Sequence, residues 1–129
     1  MNKDTSVLVI GANGFVGSAI TAQARKLGLN IETATRENYS SLIGKSFDLI
    51  INANGNSRKY LAEQDPNKDF EMSTLSVMRS LKDFTAGFYI YISSVDVYTN
   101  FSDPSMNTES TVIETNKQSN YGFHKYLSE

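Results

Sequence analysis

The chain has 129 residues and a formal net charge of -2, so it is about one domain in size and has no general attraction for nucleic acid or an anionic membrane. It has no cysteine and one histidine, which excludes disulfides, thiolate nucleophiles and cysteine- or histidine-rich metal sites, and we expect no metal. Residues 1–6 are followed by only four strongly apolar residues, which predicts neither a signal peptide nor a membrane span and favours a soluble, cytoplasmic protein.

The first predicted element is a strand at residues 7–10, whose continuous apolar run is typical of strands buried on both faces of a parallel sheet. A turn with a glycine at every third position leads from it into a helical pattern at residues 15–27. Glycine permits the tight turn, lets phosphate oxygens approach the backbone, and lets the helix lie close to the strand. Free N–H groups at the helix start then face the anion, which predicts a dinucleotide pyrophosphate site. The predicted site comprises Gly11, Asn13, Gly14, Phe15, Val16 and Gly17.

Three more strands are predicted from short apolar runs, at residues 30–35, 47–52 and 88–93. Asp65 followed by Pro66 marks the start of a helix, because an N-cap residue precedes a proline in the first turn. The polar segment 99–120 is predicted to be irregular. Strands that alternate with helices imply a parallel sheet with right-handed crossovers, and hence an α/β fold. The expected buried face of the first helix is Val16, Ala19, Ile20, Ala24 and Leu27, and that of the helix after Asp65 is Phe70, Thr74, Val77, Met78, Leu81 and Phe84.

Tyr121 and Lys125 lie four residues apart, which on a helix puts a phenol and an ammonium on one face, one turn apart. A nearby cation lowers the pKa of a phenol from its usual value of about 10, so that the phenol can exchange protons with a hydroxyl or carbonyl near neutral pH. Such a pair is also common on solvated helix faces. Ser93 and Ser94 strengthen the functional interpretation, because they follow the fourth strand at the edge where open parallel sheets bind ligands.

Three motifs occur in order: strand-Gly-x-x-Gly-x-x-Gly at residues 11–17, strand-Ser-Ser-x-x-Val-Tyr at 93–98, and Tyr-x-x-x-Lys at 121–125. In this order they resemble the extended short-chain dehydrogenase/reductase family, and most closely its NAD(P)-dependent epimerase/dehydratase branch, which acts on nucleotide sugars. The resemblance covers residues 7–129. It implies a Rossmann-like parallel sheet of about four strands in the order second, first, third, fourth, with flanking helices. Supporting matches are Asp48, Asn52-Ala53, Asp65-Pro66, Phe70-Glu71, Glu109 and Glu129.

The resemblance also implies roles for individual residues. Tyr121 is the expected acid/base, Ser94 orients the substrate oxygen, and Lys125 lowers the pKa of Tyr121 and hydrogen-bonds the nicotinamide ribose. Ser93 is then expected to bond nearby backbone at the strand end. Further residues expected to bind the cofactor, at the ends of the second and third strands, are Thr35, Arg36, Asn52, Ala53 and Asn54.

The chain departs from the family pattern at four places. Only residues 37–46 lie where the family has a further strand and helix, with an aspartate that serves the adenine. Ser73 stands in place of the usual asparagine, and His124, expected to be exposed, stands in place of the usual serine. The chain ends at Glu129, inside the catalytic helix, so we expect residues 1–129 to be a dinucleotide-binding domain that is truncated relative to the family, a fragment without the substrate domain.

The end of the second strand bears on the choice of cofactor. An acidic residue there binds the adenosine ribose hydroxyls of NAD and excludes a 2′-phosphate. Here Thr35 is neutral and Arg36 is a cation that can pair with phosphate in a bidentate way. This favours NADP(H) and leaves NAD(H) open, since an arginine after a strand is also often simply solvated.

Two functions fit the sequence. The first is an NAD(P)-dependent epimerase, dehydratase or reductase acting on a nucleotide sugar or related carbonyl compound, and the second is a cofactor-binding module without turnover. Retention of the serine, tyrosine and lysine favours the enzyme, whereas the missing second half favours the module. The resemblance further implies a homodimer paired through the helices that begin at residues 65 and 121, with Met72, Leu75 and Arg79 on that face.

Overall fold

The computed structural model describes residues 4–129, so the first three residues of the N-terminal segment considered above lie outside the described residues. The chain divides into two compact units. The first contains the described residues up to Gly55 together with Ser76–Ile92, and the second contains Asn56–Leu75 and Ser93–Glu129. No helix in the described part of the chain is long and apolar enough to cross a membrane.

Strands and helices alternate through the first two thirds of the described chain. In chain order the strands and α-helices are β1 (Ser6–Ile10), α1 (Phe15–Lys26), β2 (Asn30–Ala34), α2 (Tyr39–Leu42), β3 (Ser46–Asn52), α3 (Lys59–Gln64), α4 (Pro66–Phe70), α5 (Ser76–Asp83), β4 (Thr85–Tyr91) and α6 (Asn120–Tyr126). A π-helical turn, Glu71–Leu75, lies between α4 and α5. Short 3-10 turns at Val95–Val97, Pro104–Met106 and Thr115–Lys117 lie between β4 and α6, which confirms that segment 99–120 is largely irregular.

The four strands of the first unit form one parallel sheet in the order β2-β1-β3-β4. This confirms the predicted α/β, Rossmann-like fold and the predicted strand order. In the centre, Val7 of β1 pairs with Ile31 of β2 and Leu49 of β3. Alternate residues of β1 enter two separate core clusters, so both faces of this strand are buried, as its unbroken apolar run predicts. One cluster contains Leu8, Ile10, Ala34, Leu42, Phe47, Ile50 and Phe84, and the other contains Val7, Val9, Ala12 and Leu49.

Helix α1 has the predicted start and ends one residue earlier than predicted, but its buried face is different. The residues that it buries are Gly17, Thr21 and Ala24. Of the apolar residues expected on that face, Val16, Ala19 and Leu27 are exposed. Small side chains face inward because the helix lies close to the preceding turn: a Cβ atom on Gly17 would sit 2.2 Å from the carbonyl oxygen of Gly11.

Strand β4 begins at Thr85, three residues before the predicted start, and ends at Tyr91 rather than Ser93. Its bounds follow the parallel ladder with β3, which pairs Ser46 with Thr85 at one end and Asn52 with Tyr91 at the other. Apolar content alone therefore placed the strand too late, because the partner strand sets where its hydrogen bonding begins and ends.

The single helix predicted after Asp65 is divided into α4, the π turn and α5, and its buried face is more polar than predicted. Phe70, Met78 and Leu81, which we expected to be buried, are exposed. Fully buried positions instead include Asp69 and Ser73 of the second unit and Ser80 of the first.

In the second unit, helices α3, α4 and α6 pack on one another, and α6 packs on the Val95–Val97 turn. Glu63 of α3 accepts hydrogen bonds at 3.1 Å from both the backbone N and the side-chain Nδ2 of Asn120. A Cβ atom on Gly122 would sit 2.1 Å from the carbonyl oxygen of Asp96, so a glycine is needed where α6 meets the turn. The second unit therefore holds the predicted acid/base helix against the segment that follows Ser94.

Candidate cofactor and acid/base sites

The turn between β1 and α1 brings backbone groups together in a way that requires glycine. Gly11 has a φ of +78°, and a Cβ atom on it would lie 2.9 Å from the backbone of Asn54. Helix α1 starts after Gly14, with no side-chain cap on its N-terminus and no acidic residue in its first turn. Its first N–H groups are thus left for an anion, which is the arrangement that binds pyrophosphate in nucleotide-binding folds.

A cavity of about 580 Å³ in the first unit lies along this turn. It is bounded by the carboxyl ends of β1, β2 and β3 and by helix α5, where open parallel sheets bind ligands. Among the residues predicted to bind the cofactor, those that line it are Gly11, Asn13, Gly14, Thr35, Arg36, Ala53 and Asn54.

Four of the cofactor residues predicted in the first unit do not line the cavity. The side chains of Phe15 and Val16 are exposed, and Gly17 is buried below the turn. Asn52 is fully buried, and its Oδ1 accepts a hydrogen bond from the backbone N of Asn54 at 2.9 Å. Asn52 therefore shapes the loop that borders the cavity.

Sequence reasoning missed several residues of the cavity wall, namely Ile10, Ala34, Glu37, Tyr39, Gly55, Ser76 and Arg79. Ser76 and Arg79 lie three residues apart on α5, on one face of the helix. Their spacing was visible in the sequence, but which face of α5 borders the cavity depends on how α5 packs in the first unit.

The residues after β2 form a hydrogen-bonded turn that fixes this part of the wall. Asn38 Oδ1 accepts from the backbone N of Thr35 at 2.7 Å, and Asn38 Nδ2 donates to the carbonyl oxygen of Thr33 at 2.8 Å. The backbone on either side of Arg36 is therefore held by one asparagine side chain.

In the second unit the structure brings Ser94 and Tyr121 together. Tyr121 lies on α6 and is 9% exposed, and a hydrogen bond from Ser94 acts on its phenol. Ser94 also precedes the Val95–Val97 turn, where its Oγ accepts from the backbone N of Asp96 and donates to Asp96 Oδ2 at 2.8 Å. The hydroxyl proton of Ser94 is thus donated to the Asp96 carboxylate, and Ser94 also acts to lower the pKa of the neighbouring Tyr121 phenol.

Lys125 lies one turn after Tyr121 on α6, as predicted. Its Nζ is 5.9 Å from the centroid of the Tyr121 ring, and the residue is 5% exposed. Burial lowers the pKa of Lys125 below its usual value, and the negative charge of Asp69 partly opposes this. The lysine is therefore a buried cation whose charge depends on its neighbours.

A second cation, Lys59, was not anticipated from the sequence. Its Nζ lies 2.7 Å from the Asp96 carboxylate and 5.9 Å from the centroid of the Tyr121 ring. Burial and the charge of Asp96 raise the pKa of Tyr121, whereas the Ser94 hydrogen bond and Lys59 lower it, and the balance is a raised pKa. In the protein by itself Tyr121 is thus held in its protonated form, and Lys59 is the cation that acts against this.

Two expectations about neighbouring side chains are wrong. His124 is buried rather than exposed: its Nδ1 lies 2.6 Å from Oδ2 of Asp69, whose Oδ1 accepts from Asn56. Ser93 bonds the carboxylate of Glu129 rather than nearby backbone. Both partners lie at least 36 positions away along the chain, so no local sequence pattern could predict these contacts.

A further cavity of about 360 Å³ in the second unit lies beside Tyr121. It contains the Lys59 and Asp96 pair and several aromatic side chains, so polar groups beside the acid/base residue open onto a space of small-molecule size. Its wall is formed by Lys59, Tyr60, Glu63, Asp96, Tyr98, Thr99, Phe101, Lys117, Gln118, Ser119 and Tyr121.

A glycine turn between a central parallel strand and an uncapped helix, bordering a cavity at the carboxyl ends of the strands, defines a Rossmann-like nucleotide-binding protein. Residues 7–129 match the sequence profile of the NAD dependent epimerase/dehydratase family, and the chain belongs to that family. No curated protein matches the chain significantly in sequence.

Solved structures share the fold at low sequence identity. RMD from Pseudomonas aeruginosa, complexed with NADPH, has a TM-score of 0.79 at 20% identity, covering 96% of this chain and 47% of that one. The dTDP-4-dehydrorhamnose reductase from Bacillus anthracis, in complex with NADP, has a TM-score of 0.77 at 16% identity, covering 99% of this chain and 49% of that one. MoeE5, in complex with UDP-glucose and NAD, has a TM-score of 0.77 at 17% identity, covering 95% of this chain and 46% of that one. The chain therefore spans just under half the length of these relatives.

The Lys59 and Asp96 pair generates a prediction about stability in acid. Burial raises the pKa of Asp96, but the hydrogen bonds from Lys59 and Ser94 and the positive charge of Lys59 outweigh it, so the pKa is lowered. A carboxylate with a lowered folded-state pKa stabilises the protein above its unfolded value of about 4, and this contribution is lost as the pH falls through the folded-state pKa. We expect Asp96→Asn to be less stable than wild type at neutral pH, with the difference closing below about pH 4.

Urea unfolding at a series of pH values checks this. Lys59→Met removes the partner of Asp96, and the difference in stability between this variant and wild type is expected to close over the same pH range. A stability difference between wild type and Asp96→Asn that stays constant down to about pH 3 contradicts the assignment.

Proposed function

We propose that this chain is the dinucleotide-binding part of an NAD(P)-dependent epimerase, dehydratase or reductase that acts on a nucleotide sugar through Ser94, Tyr121 and Lys125. The observation that carries the proposal is the grouping of these three side chains in the second unit of a chain from this family. A relative complexed with UDP-glucose and NAD supports the substrate class. We further propose a cytoplasmic location and a homodimer, on the grounds given from the sequence.

The residues of the first unit fit a nicotinamide dinucleotide. A Cβ atom at Gly11 would lie 2.9 Å from the Asn54 backbone, so the turn between β1 and α1 presents backbone rather than side chains at this point. The uncapped start of α1 suits the pyrophosphate, and Thr35 with Arg36 suits the adenosine end. NADP(H) is the proposed cofactor because the tip of β2 is followed first by the neutral Thr35 and the cation Arg36, with the carboxylate of Glu37 only after them.

The second unit supplies acid/base chemistry to the substrate. When bound, the nicotinamide would accept or give a hydride at a substrate carbon. Tyr121 takes the proton from the hydroxyl oxygen of that carbon, or returns a proton to the carbonyl oxygen in the reverse direction. Ser94 hydrogen-bonds the same oxygen, and the ammonium groups of Lys59 and Lys125 favour the phenolate. Lys59 opposes the burial and the Asp96 charge that keep Tyr121 protonated.

The cofactor assignment predicts that NADPH binds this chain more tightly than NADH, and that Arg36→Ala removes most of the difference. A charge-assisted contact to phosphate contributes roughly 1.5 to 3 kcal/mol, or about one to two decades in affinity. Calorimetric titration of wild type and Arg36→Ala with both nucleotides measures it. Equal affinities of the wild type for NADPH and NADH contradict the preference.

The acid/base assignment predicts that Tyr121→Phe abolishes most turnover of nucleotide sugars, by about 10²-fold or more, with cofactor affinity nearly unchanged. Lys125→Ala is expected to reduce both. Tyr126→Phe is the matched control, because Tyr126 lies on the same helix and is more exposed, and it is expected to keep wild-type activity. The assay uses the longest translation product that contains this chain, since the relatives are about twice its length.

For residues 1–129 alone we expect cofactor binding with little or no turnover, because the substrate-holding half of the relatives is not part of the chain.

Turnover by Tyr121→Phe at the wild-type rate contradicts the enzyme proposal. Cofactor binding by the long product without turnover of any nucleotide sugar favours the module without catalysis.

A further inference from the structure

Two arginines line the cavity of the first unit, and they come from different elements. Arg36 lies just after β2, and Arg79 lies on α5. Among the described residues that line this cavity, Glu37 is the one carboxylate. The side chains that line the cavity thus include two cations and one carboxylate, and a second carboxylate, Asp83, bonds the lining Tyr39. Two guanidinium groups on one wall supply the N–H donors from which a phosphate accepts hydrogen bonds.

Tyr39, the first residue of α2, joins the segment that follows Arg36 to the helix that carries Arg79. Its hydroxyl donates to Asp83 Oδ2 at 2.9 Å, and its ring meets the Phe84 ring edge-on with centroids 5.2 Å apart. Burial and the contact with Asp83 raise the pKa of Tyr39, whereas the positive charge of Arg79 lowers it. Arg79 thus acts electrostatically on a phenol that lines the same cavity, and α2 and α5 form one wall.

The backbone that carries each arginine is fixed. Asn38 holds the turn around Arg36 through hydrogen bonds to Thr35 and Thr33, and Arg79 lies in the middle of the eight-residue helix α5. Side chains on fixed backbone lose less freedom when they bind a ligand than side chains on a mobile loop. Both arginine side chains therefore extend from ordered backbone on the wall of one cavity.

We propose that Arg36 and Arg79 together bind the 2′-phosphate of NADP(H), with Arg79 as a specificity-determining residue. The inference rests on the proposed function, in which this cavity holds a nicotinamide dinucleotide. A phosphate monoester carries close to two negative charges and three acceptor oxygens, and each guanidinium offers five N–H donors in a planar fork. Two arginines satisfy that group better than one and also offset its repulsion by Glu37. Arg79, which the resemblance places on a dimer face with Met72 and Leu75, then also serves the cofactor.

Calorimetric titration with NADPH, NADH and adenosine 2′,5′-bisphosphate tests this in wild type, Arg79→Ala, Arg36→Ala and the double variant. Arg79→Ala is expected to lower the affinity for NADPH and for the bisphosphate about tenfold or more, and to change the affinity for NADH by less than about twofold. Arg79→Lys, which keeps the charge without the fork, is expected to fall between wild type and Arg79→Ala. Arg25→Ala is the matched control, because Arg25 is an exposed helical arginine that does not line the cavity.

Glu37→Gln distinguishes a wall that binds the 2′-phosphate of NADP(H) from a wall that binds the ribose hydroxyls of NAD. Under the proposal it strengthens NADPH binding, because it removes a negative charge beside the phosphate. A loss of NADH affinity in Glu37→Gln with NADPH unchanged contradicts the proposal and assigns the wall to the ribose hydroxyls of NAD. An equal loss of affinity for NADPH and NADH in Arg79→Ala, or no loss for either, also contradicts the proposal. A wild-type chain that binds neither dinucleotide contradicts the proposed function itself, and the inference with it.

Discussion

The close approach of three backbone segments around Gly11 is the constraint on which the first unit depends. A Cβ atom on Gly17 would lie 2.2 Å from the Gly11 oxygen, and one on Gly11 would lie 2.9 Å from Asn54. Strand β1, helix α1 and the loop after β3 can therefore meet only where side chains are absent. This contact fixes the uncapped helix start at the carboxyl edge of the sheet, and Asn52 holds the loop beside it.

In the second unit the governing quantity is the proton affinity of Tyr121. Burial and Asp96 favour the phenol, whereas Ser94 and Lys59 favour the phenolate, and the phenol prevails in the protein by itself. Asp96 is itself paired with Lys59, so a ligand that draws either charge away changes the balance on Tyr121. The resemblance assigned the lowering of the Tyr121 pKa to Lys125, whereas the cation that lowers it in the structure is Lys59.

Features with a local physical cause were predictable from the sequence, and features that depend on distant partners were not. The apolar run of β1 and the glycine spacing before α1 have local causes, and the strand and the helix start that they predict are confirmed. The start of β4 depends on its ladder with β3, and the burial of His124 depends on Asp69, 55 positions earlier. Likewise, the contribution of Arg79 to the cavity wall depends on the packing of α5, which no spacing within that helix reveals.

The central claim is that the glycine turn of the first unit binds a nicotinamide dinucleotide. Titration of the isotope-labelled chain with NADPH, followed through its backbone amide resonances, tests it most directly. The account predicts that the largest shifts fall on the amides of Gly14, Phe15 and Val16 and on those of Ala53 and Asn54. Saturating NADPH that leaves these five amides unmoved contradicts the account.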